Sequence, residues 1–183
     1  MEQKRLILDS PLLEITISRL CQQLIEQHHM FEDTVILGMQ PRGIFLAERI
    51  KTKLESLLAI HIPIGYLDTT FYRDDFRRRN APLKANATKV PFIIEDKKVI
   101  LIDDVLYTGR SVRAAMDAMI AFGRPRKVEL LALVNRKYSR DLPIEPDYVG
   151  RHVNTLASQR VLVEWKEQGA ASDHIWLINK QDL

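Results

Sequence analysis

Apolar residues recur along the 183-residue chain in two alternating rhythms, one at helical spacing and one in short continuous runs. Leu13, Ile17, Leu20 and Leu24 stand at i, i+4, i+7 and i+11 behind Pro11, a single stripe that predicts a helix covering a sheet. Thr34 to Leu37 has the length and branching of a strand, and Ala47, Ile50, Leu54 and Leu57 mark a second helix. Gly38 to Gly43 therefore connects strand to helix. Further strands are expected at Ile62 to Leu67, Val99 to Ile102 and Val128 to Val134. Between the last two, Val112, Met116, Met119 and Ile120 recur at helical spacing, with Gly123 as the C-terminal cap. Strands joined mainly by helices imply a parallel sheet, and uninterrupted apolar runs suit strands buried on both faces. Val161 to Trp165 and Ile175 to Ile178 read as short extra strands. The pattern is that of an α/β fold, and residues 1–183 suit a single domain that buries roughly 70% of its unfolded surface.

One stretch breaks the alternation. Residues 69–98 are rich in charge and too long for an ordinary connection. Segments of this size are lids, binding loops or solvated excursions, and for Arg77 to Thr88 the last reading stands level with the first two.

The chemistry concentrates in Val99 to Ser111, VILIDDVLYTGRS. Asp103 and Asp104 fall at the carboxyl end of the expected strand, where open α/β sheets bind their ligands. Thr108 to Ser111 occupy the approach to the next helix, whose first amides lack intrahelical acceptors and lie at the positive end of its dipole. Gly109 lets the backbone approach an anion, and Thr108 and Ser111 add hydroxyl donors. The carboxylates suit either two ribose hydroxyls or a magnesium ion accompanying a diphosphate. The competing reading makes the pair a helix cap. A cap needs one carboxylate, however, and a second beside it adds repulsion. The Walker phosphate loop is excluded, because its terminal Gly-Lys-Ser/Thr is missing.

Composition narrows the rest. With 27 basic and 24 acidic side chains the net charge is +3, so any nucleic-acid binding must come from a local patch. Cys21 is the only cysteine, is expected in the core and suits a reducing compartment. No run approaches the about 18 apolar residues of a membrane span, so a cytoplasmic protein without membrane contact is expected. His28, His29, His61, His152 and His174 lack metal-ligand spacing, and no protein-ligated zinc is expected.

The VILIDDVLYTGRS segment closely resembles the phosphoribosyl pyrophosphate (PRPP) signature of type I phosphoribosyltransferases. Gly38-Met39-Gln40-Pro41-Arg42-Gly43, Tyr72-Arg73-Asp74-Asp75, the signature itself and Asp141-Leu142-Pro143-Ile144 together resemble the PyrR family of pyrimidine-operon regulators and uracil phosphoribosyltransferases. The resemblance covers nearly the whole chain, least clearly its last twenty residues. It implies the type I phosphoribosyltransferase fold: a mainly parallel central sheet flanked by helices, a flexible flap over about 69–98 and a small hood from the C-terminal segments. It also implies conversion of uracil and PRPP to UMP and diphosphate with Mg²⁺, the metal held through Asp103 or Asp104. Regulation by binding pyrimidine leader RNA and association into a homo-oligomer are further implications.

Carried over by residue, Val99, Ile100, Leu101, Ile102, Asp103, Asp104, Val105, Leu106, Tyr107, Thr108, Gly109, Arg110 and Ser111 form the PRPP and 5′-phosphate site. Met39, Gln40, Pro41, Arg42 and Gly43 form the diphosphate loop, with Arg42 joining Asp103 and Asp104 as catalytic candidates. Arg42 seen alone reads more readily as a surface arginine, and its place in a second strand-end loop is what favours the functional reading. Relatives usually place a basic residue and a threonine where this chain has Gln40 and Pro41, which predicts weaker PRPP binding. Tyr72, Arg73, Asp74 and Asp75 belong to the flap, and Arg136 and Val161 to the base site. Tyr107 stands where purine enzymes carry an aspartate, which favours a pyrimidine, and packing of the loop is its expected role. Arg136, Lys137, Arg140 and Arg151 are the RNA candidates or, equally, a solvated basic face. Glu145 reverses a charge of the family pattern, and the same stretch carries a one-residue insertion. A UMP- or PRPP-sensing, RNA-binding attenuator with little catalysis, and a phosphoribosyltransferase for another base, are the rival readings.

Overall fold

The computed structural model describes residues 4–73 and 86–179, so Asp74 and Asp75 lie outside the described residues. Five strands form a parallel sheet: β2 (Thr34–Met39), β3 (Ile64–Leu67), β4 (Lys98–Leu106), β5 (Lys127–Lys137) and β6 (Tyr148–Asn154), in the spatial order β3-β2-β4-β5-β6. Helices α1 (Ser10–His28) and α2 (Gly43–Leu58) cover one face of it, and α3 (Arg110–Met119) covers the other. This is the α/β arrangement expected from the alternating pattern. A second, antiparallel sheet joins the two ends of the chain, with β1 (Arg5–Leu8), β8 (His174–Asn179) and β7 (Gln159–Glu164) in that order.

The predicted stripe of α1 is entirely inside: Leu13, Ile17, Leu20 and Leu24 are each no more than 1% exposed. Asp9 caps this helix, accepting the Leu12 N–H at 3.0 Å, and Pro11 occupies its first turn, where a missing donor costs nothing. Cys21 is buried, and desolvation pushes its thiol up to about 11, so it behaves as a small core residue. Two helical expectations need correction. Leu57 is half exposed at the end of α2, and on α3 Met116 and Ile120 face outward while Val112, Ala115, Ala118 and Met119 fill the interface. The contact made by each helix is narrower than its apolar stripe, so the side chains at the edge of the stripe fall outside it.

The small sheet is fastened to the large one from below and above. Arg49 of α2 donates to both oxygens of Asp173 at 2.9 Å and to Glu167 at 2.7 Å, with its guanidinium over the Trp165 ring at 4.6 Å. Leu8, Val163, Trp165 and Ile175 share one core with α1 and α2. This holds the turn between β6 and β7 near the carboxyl edge of the parallel sheet.

Candidate active site

β4 lies between β2 and β5, so its carboxyl end stands in the middle of the sheet edge. Val99, Ile100, Leu101 and Ile102 are all 0% exposed, and Met39 is 2% exposed. These five side chains are buried in strands β4 and β2, behind the loops that follow them. The strand also runs four residues beyond Ile102, because Ala132 to Asn135 of β5 give it a paired partner as far as Leu106. Asp103 and Asp104 therefore project from a rigid ladder rather than a loop. Asp103 Oδ1 accepts the Asp104 N–H at 2.9 Å, and Asp104 is only 7% exposed.

Burial pushes both carboxyls above the usual aspartate range. For Asp103 the nearby Asp104 charge adds to burial while Arg73 pulls the other way; for Asp104 the relief comes from Arg42. Neither aspartate caps α3. That helix starts after Gly109, which has no side chain to cap it.

Gly109 has φ +90°, a left-handed conformation that side chains resist, and a Cβ there would also stand 3.2 Å from Ile144 Cδ1. The turn bends tightly enough for the Arg110 N–H to reach Thr108 Oγ1 at 3.4 Å. In front of it is a cavity of about 250 Å³ lined by Arg73, Asp103 and the backbone from Val105 to Val112. The Thr108 and Ser111 hydroxyls, the first turn of α3, two arginines and a carboxylate thus meet in one hollow.

The other loop is anchored against the same strand. The Gln40 N–H donates to Leu67 O at 3.0 Å, the Gln40–Pro41 bond is cis, and Arg42 stands at the start of α2 without capping it. Gly43 packs so closely on β4 that a Cβ would fall 2.5 Å from Ile102 O and 3.1 Å from Asp103 Cα. Arg42 is half-buried and its charge acts on Asp104, which favours the site reading over the surface one. The Gln40 side chain donates to Ala87 O at 2.7 Å, tying this loop to the returning arm of the 69–98 segment. Asp68 performs a matching task and was missed from the sequence: its carboxylate accepts the Thr70 N–H, the Thr70 hydroxyl and the Asn86 N–H at 3.1, 2.7 and 2.8 Å. A lone acid after a strand carries no signal of this.

Arg73 reaches the cavity, while Tyr72, in a short 3₁₀ turn (Thr70–Tyr72), is exposed. Arg136 is 3% exposed, with its guanidinium 3.7 Å above the Tyr107 ring. It donates to Thr155 Oγ1 at 2.8 Å and to Gln159 O at 3.0 Å, so it fastens the start of β7 over the end of β5. Tyr107 has the packing role expected of it. Val161, half-buried on β7, packs against the larger core nearby. The RNA candidates divide: Lys137 and Arg151 are exposed, whereas Arg136 is buried and Arg140 half-buried, each donating to backbone oxygens. Backbone carbonyls there need donors, which the two guanidiniums supply.

A parallel sheet with an acid pair on its central strand, followed by an anion-directed turn, defines a nucleotide- or sugar-phosphate-handling enzyme class. The phosphoribosyl transferase domain family matches residues 5–168, and the chain belongs to it. The chain is 42% identical over 168 residues to the "Bifunctional protein pyrR" of Enterococcus faecalis, covering 92% of this chain and 93% of that protein. It is 38% identical over 185 residues to the "Bifunctional protein PyrR" of Listeria welshimeri, with both chains covered in full. These likenesses place it in the PyrR family. Its fold is also that of a solved hypoxanthine phosphoribosyltransferase from Staphylococcus aureus, with TM-score 0.69 and 16% identity over 98% of this chain and 94% of the other.

Proposed function

We propose that this protein transfers the phosphoribosyl group of PRPP to uracil, forming UMP and diphosphate. The observation that supports it most directly is that Asp103, whose Oδ1 holds the Asp104 N–H, and the Thr108–Ser111 turn line one cavity. The turn is suited to the 5′-phosphate through its amides, the Thr108 and Ser111 hydroxyls and Gly109, while the acid pair suits the ribose hydroxyls. In the reaction the bond from C1′ to the diphosphate oxygen breaks, the bond from C1′ to uracil N1 forms, and the N1 proton passes to water or the departing diphosphate. Positive charge builds on the ring between those events, and a carboxylate pair below it is favourably placed to stabilise that charge.

Arg42, at the head of α2, supplies positive charge for the departing diphosphate. Oxygen donors that are hard and anionic, such as Asp103 and Asp104, suit Mg²⁺, and their raised affinity for protons marks a site short of positive charge. Mg²⁺ bound with PRPP would neutralise diphosphate charge. Gln40 and Pro41 offer no cation and no hydroxyl, so the loop leans on Arg42 and backbone amides, consistent with weaker PRPP affinity. Tyr107 stacked beneath Arg136 leaves no carboxylate for a purine N7, which supports a pyrimidine base.

The test is UMP formation by the purified chain with PRPP, Mg²⁺ and uracil, run beside orotate, cytosine, hypoxanthine and guanine. Uracil-selective turnover, falling roughly 10²-fold or more in Asp104→Asn, is expected. Equal turnover in that variant, or preference for a purine, would refute the assignment.

A further inference from the structure

Arg140 is half-buried behind the turn that follows β4. Its guanidinium donates to four oxygens: Ile144 O at 2.8 Å, Asn135 Oδ1 at 2.5 Å, Arg136 O at 3.4 Å and, in the shortest contact, Tyr107 O. One step along the chain, Thr108 O accepts the N–H groups of Asp141 at 3.0 Å and Leu142 at 3.2 Å. The carboxylate of Asp141 accepts from Arg110 Nε at 3.1 Å, and Ile144 occupies the space beside Gly109. The segment after β5 thus grips the outer side of the phosphate-directed turn at consecutive residues.

That grip has a geometric consequence. Both peptide units are trans, so a carbonyl and the amide N–H that follows it point in opposite directions. Holding Tyr107 O and Thr108 O outward, against Arg140 and the 141–142 backbone, turns the N–H groups of Thr108 and Gly109 toward the other side. The cavity lined by this turn lies there. Successive amides aimed into one concavity form an anion-binding nest.

We propose that Arg140 is a positioning residue for the phosphate-binding turn: with the Asp141 and Leu142 amides it preorganises the Thr108 and Gly109 N–H groups for a phosphate monoester. This role rests on the reading of the turn as the 5′-phosphate site. It makes Arg140 an inward strut rather than a contact for RNA. A lysine cannot replace it, because a single ammonium cannot span oxygens on opposite sides of a planar fork.

The experiment compares wild type, Arg140→Ala, Arg140→Lys and the exposed-site control Tyr138→Ala. Uracil turnover gives kcat and KM for PRPP, calorimetry gives UMP affinity, and amide chemical shifts report Thr108, Gly109 and Arg110 with and without UMP. Arg140→Ala should raise the KM for PRPP and weaken UMP binding by roughly tenfold or more, with a smaller change in kcat. Added guanidinium should restore part of the loss, Arg140→Lys should stay defective and Tyr138→Ala should match wild type. Should Arg140→Ala fail to fold, the KM and UMP affinity of Arg140→Lys decide the matter. A folded variant with PRPP and UMP affinities within about twofold of wild type, or one that loses only affinity for a uridine-rich RNA, overturns the proposal. Wild type that neither turns over uracil nor binds UMP overturns the reading of the site itself; altered affinity in the variants alone bears on Arg140.

Discussion

Gly43 offers a sharp test of how closely the two substrate loops depend on one another. It is the first residue of α2, and no positive φ constrains it, so alanine is permitted by its backbone. Helix propensity alone would favour Gly43→Ala by up to about 1 kcal/mol, and by less at a helix end. Against this, the new Cβ would stand 2.5 Å from Ile102 O, where a carbon and a carbonyl oxygen settle at about 3.3 Å or more. The two nearest neighbours, Ile102 O and Asp103 Cα, are strand backbone inside the central sheet and cannot yield. The head of α2 must retreat by roughly 0.8 Å, taking Arg42 with it. Overpacking of this kind costs about 1–3 kcal/mol, which outweighs the propensity gain. For a protein of this length each kcal/mol lowers the melting temperature by roughly 2–4 °C. A sub-ångström shift between Arg42 and the acid pair should also lower turnover, toward about 10²-fold for a full ångström. Scanning calorimetry and initial rates with saturating uracil read both effects. A Gly43→Ala protein that melts no lower than wild type and turns over at the same rate would refute the close coupling of α2 to β4.

Two further outcomes follow from charges away from the cavity. His28 donates through Nε2 to Glu129 at 2.6 Å while Nδ1 accepts from Thr34 Oγ1 at 3.1 Å, an arrangement met by the neutral ring. Burial holds its pKa below the ordinary 6.5, with Lys98 and Lys127 assisting, and outweighs the pull of Glu129. The unfolded chain therefore takes up a proton first, and stability falls as pH drops below about 6.5, by at most about 1.4 kcal/mol per pH unit. Glu129, held below its ordinary 4.5 mainly by Lys127 and His28 against burial, adds its own loss only below that value. Urea unfolding of His28→Gln should lose the slope above pH 4.5 and keep the one below; an unchanged slope would refute the neutral-ring assignment. As for RNA, Lys137 and Arg151 are the two of the four candidates whose side chains are exposed. Replacing both by alanine should reduce the slope of log affinity against log salt by about 1.4, and a larger reduction would mean that an inward arginine also contacts RNA.

Much of this protein was determined by local sequence. The stripe of α1, the apolar runs of β2, β4 and β5 and the spacing from Asp103 to Ser111 act through periodicity, burial and turn chemistry, each decided within a few residues. The capping preference of Gly109 belongs with them, since a positive φ is a property of one residue. Tertiary structure decided what depends on distant partners. β1, with its short RLIL run, becomes a strand only because β8 arrives from the far end of the chain, and β6 extends the sheet beside β5 although its own pattern is mixed. Met116, Ile120 and Leu57 have the right spacing for a core and lie outside it, because the contact made by each helix is narrower than its apolar face. The direction of Arg136 and Arg140 was likewise settled in three dimensions. An arginine followed along the chain reads as surface charge, but at a sheet edge crowded with carbonyls that lack donors, satisfying those oxygens draws the guanidinium inward.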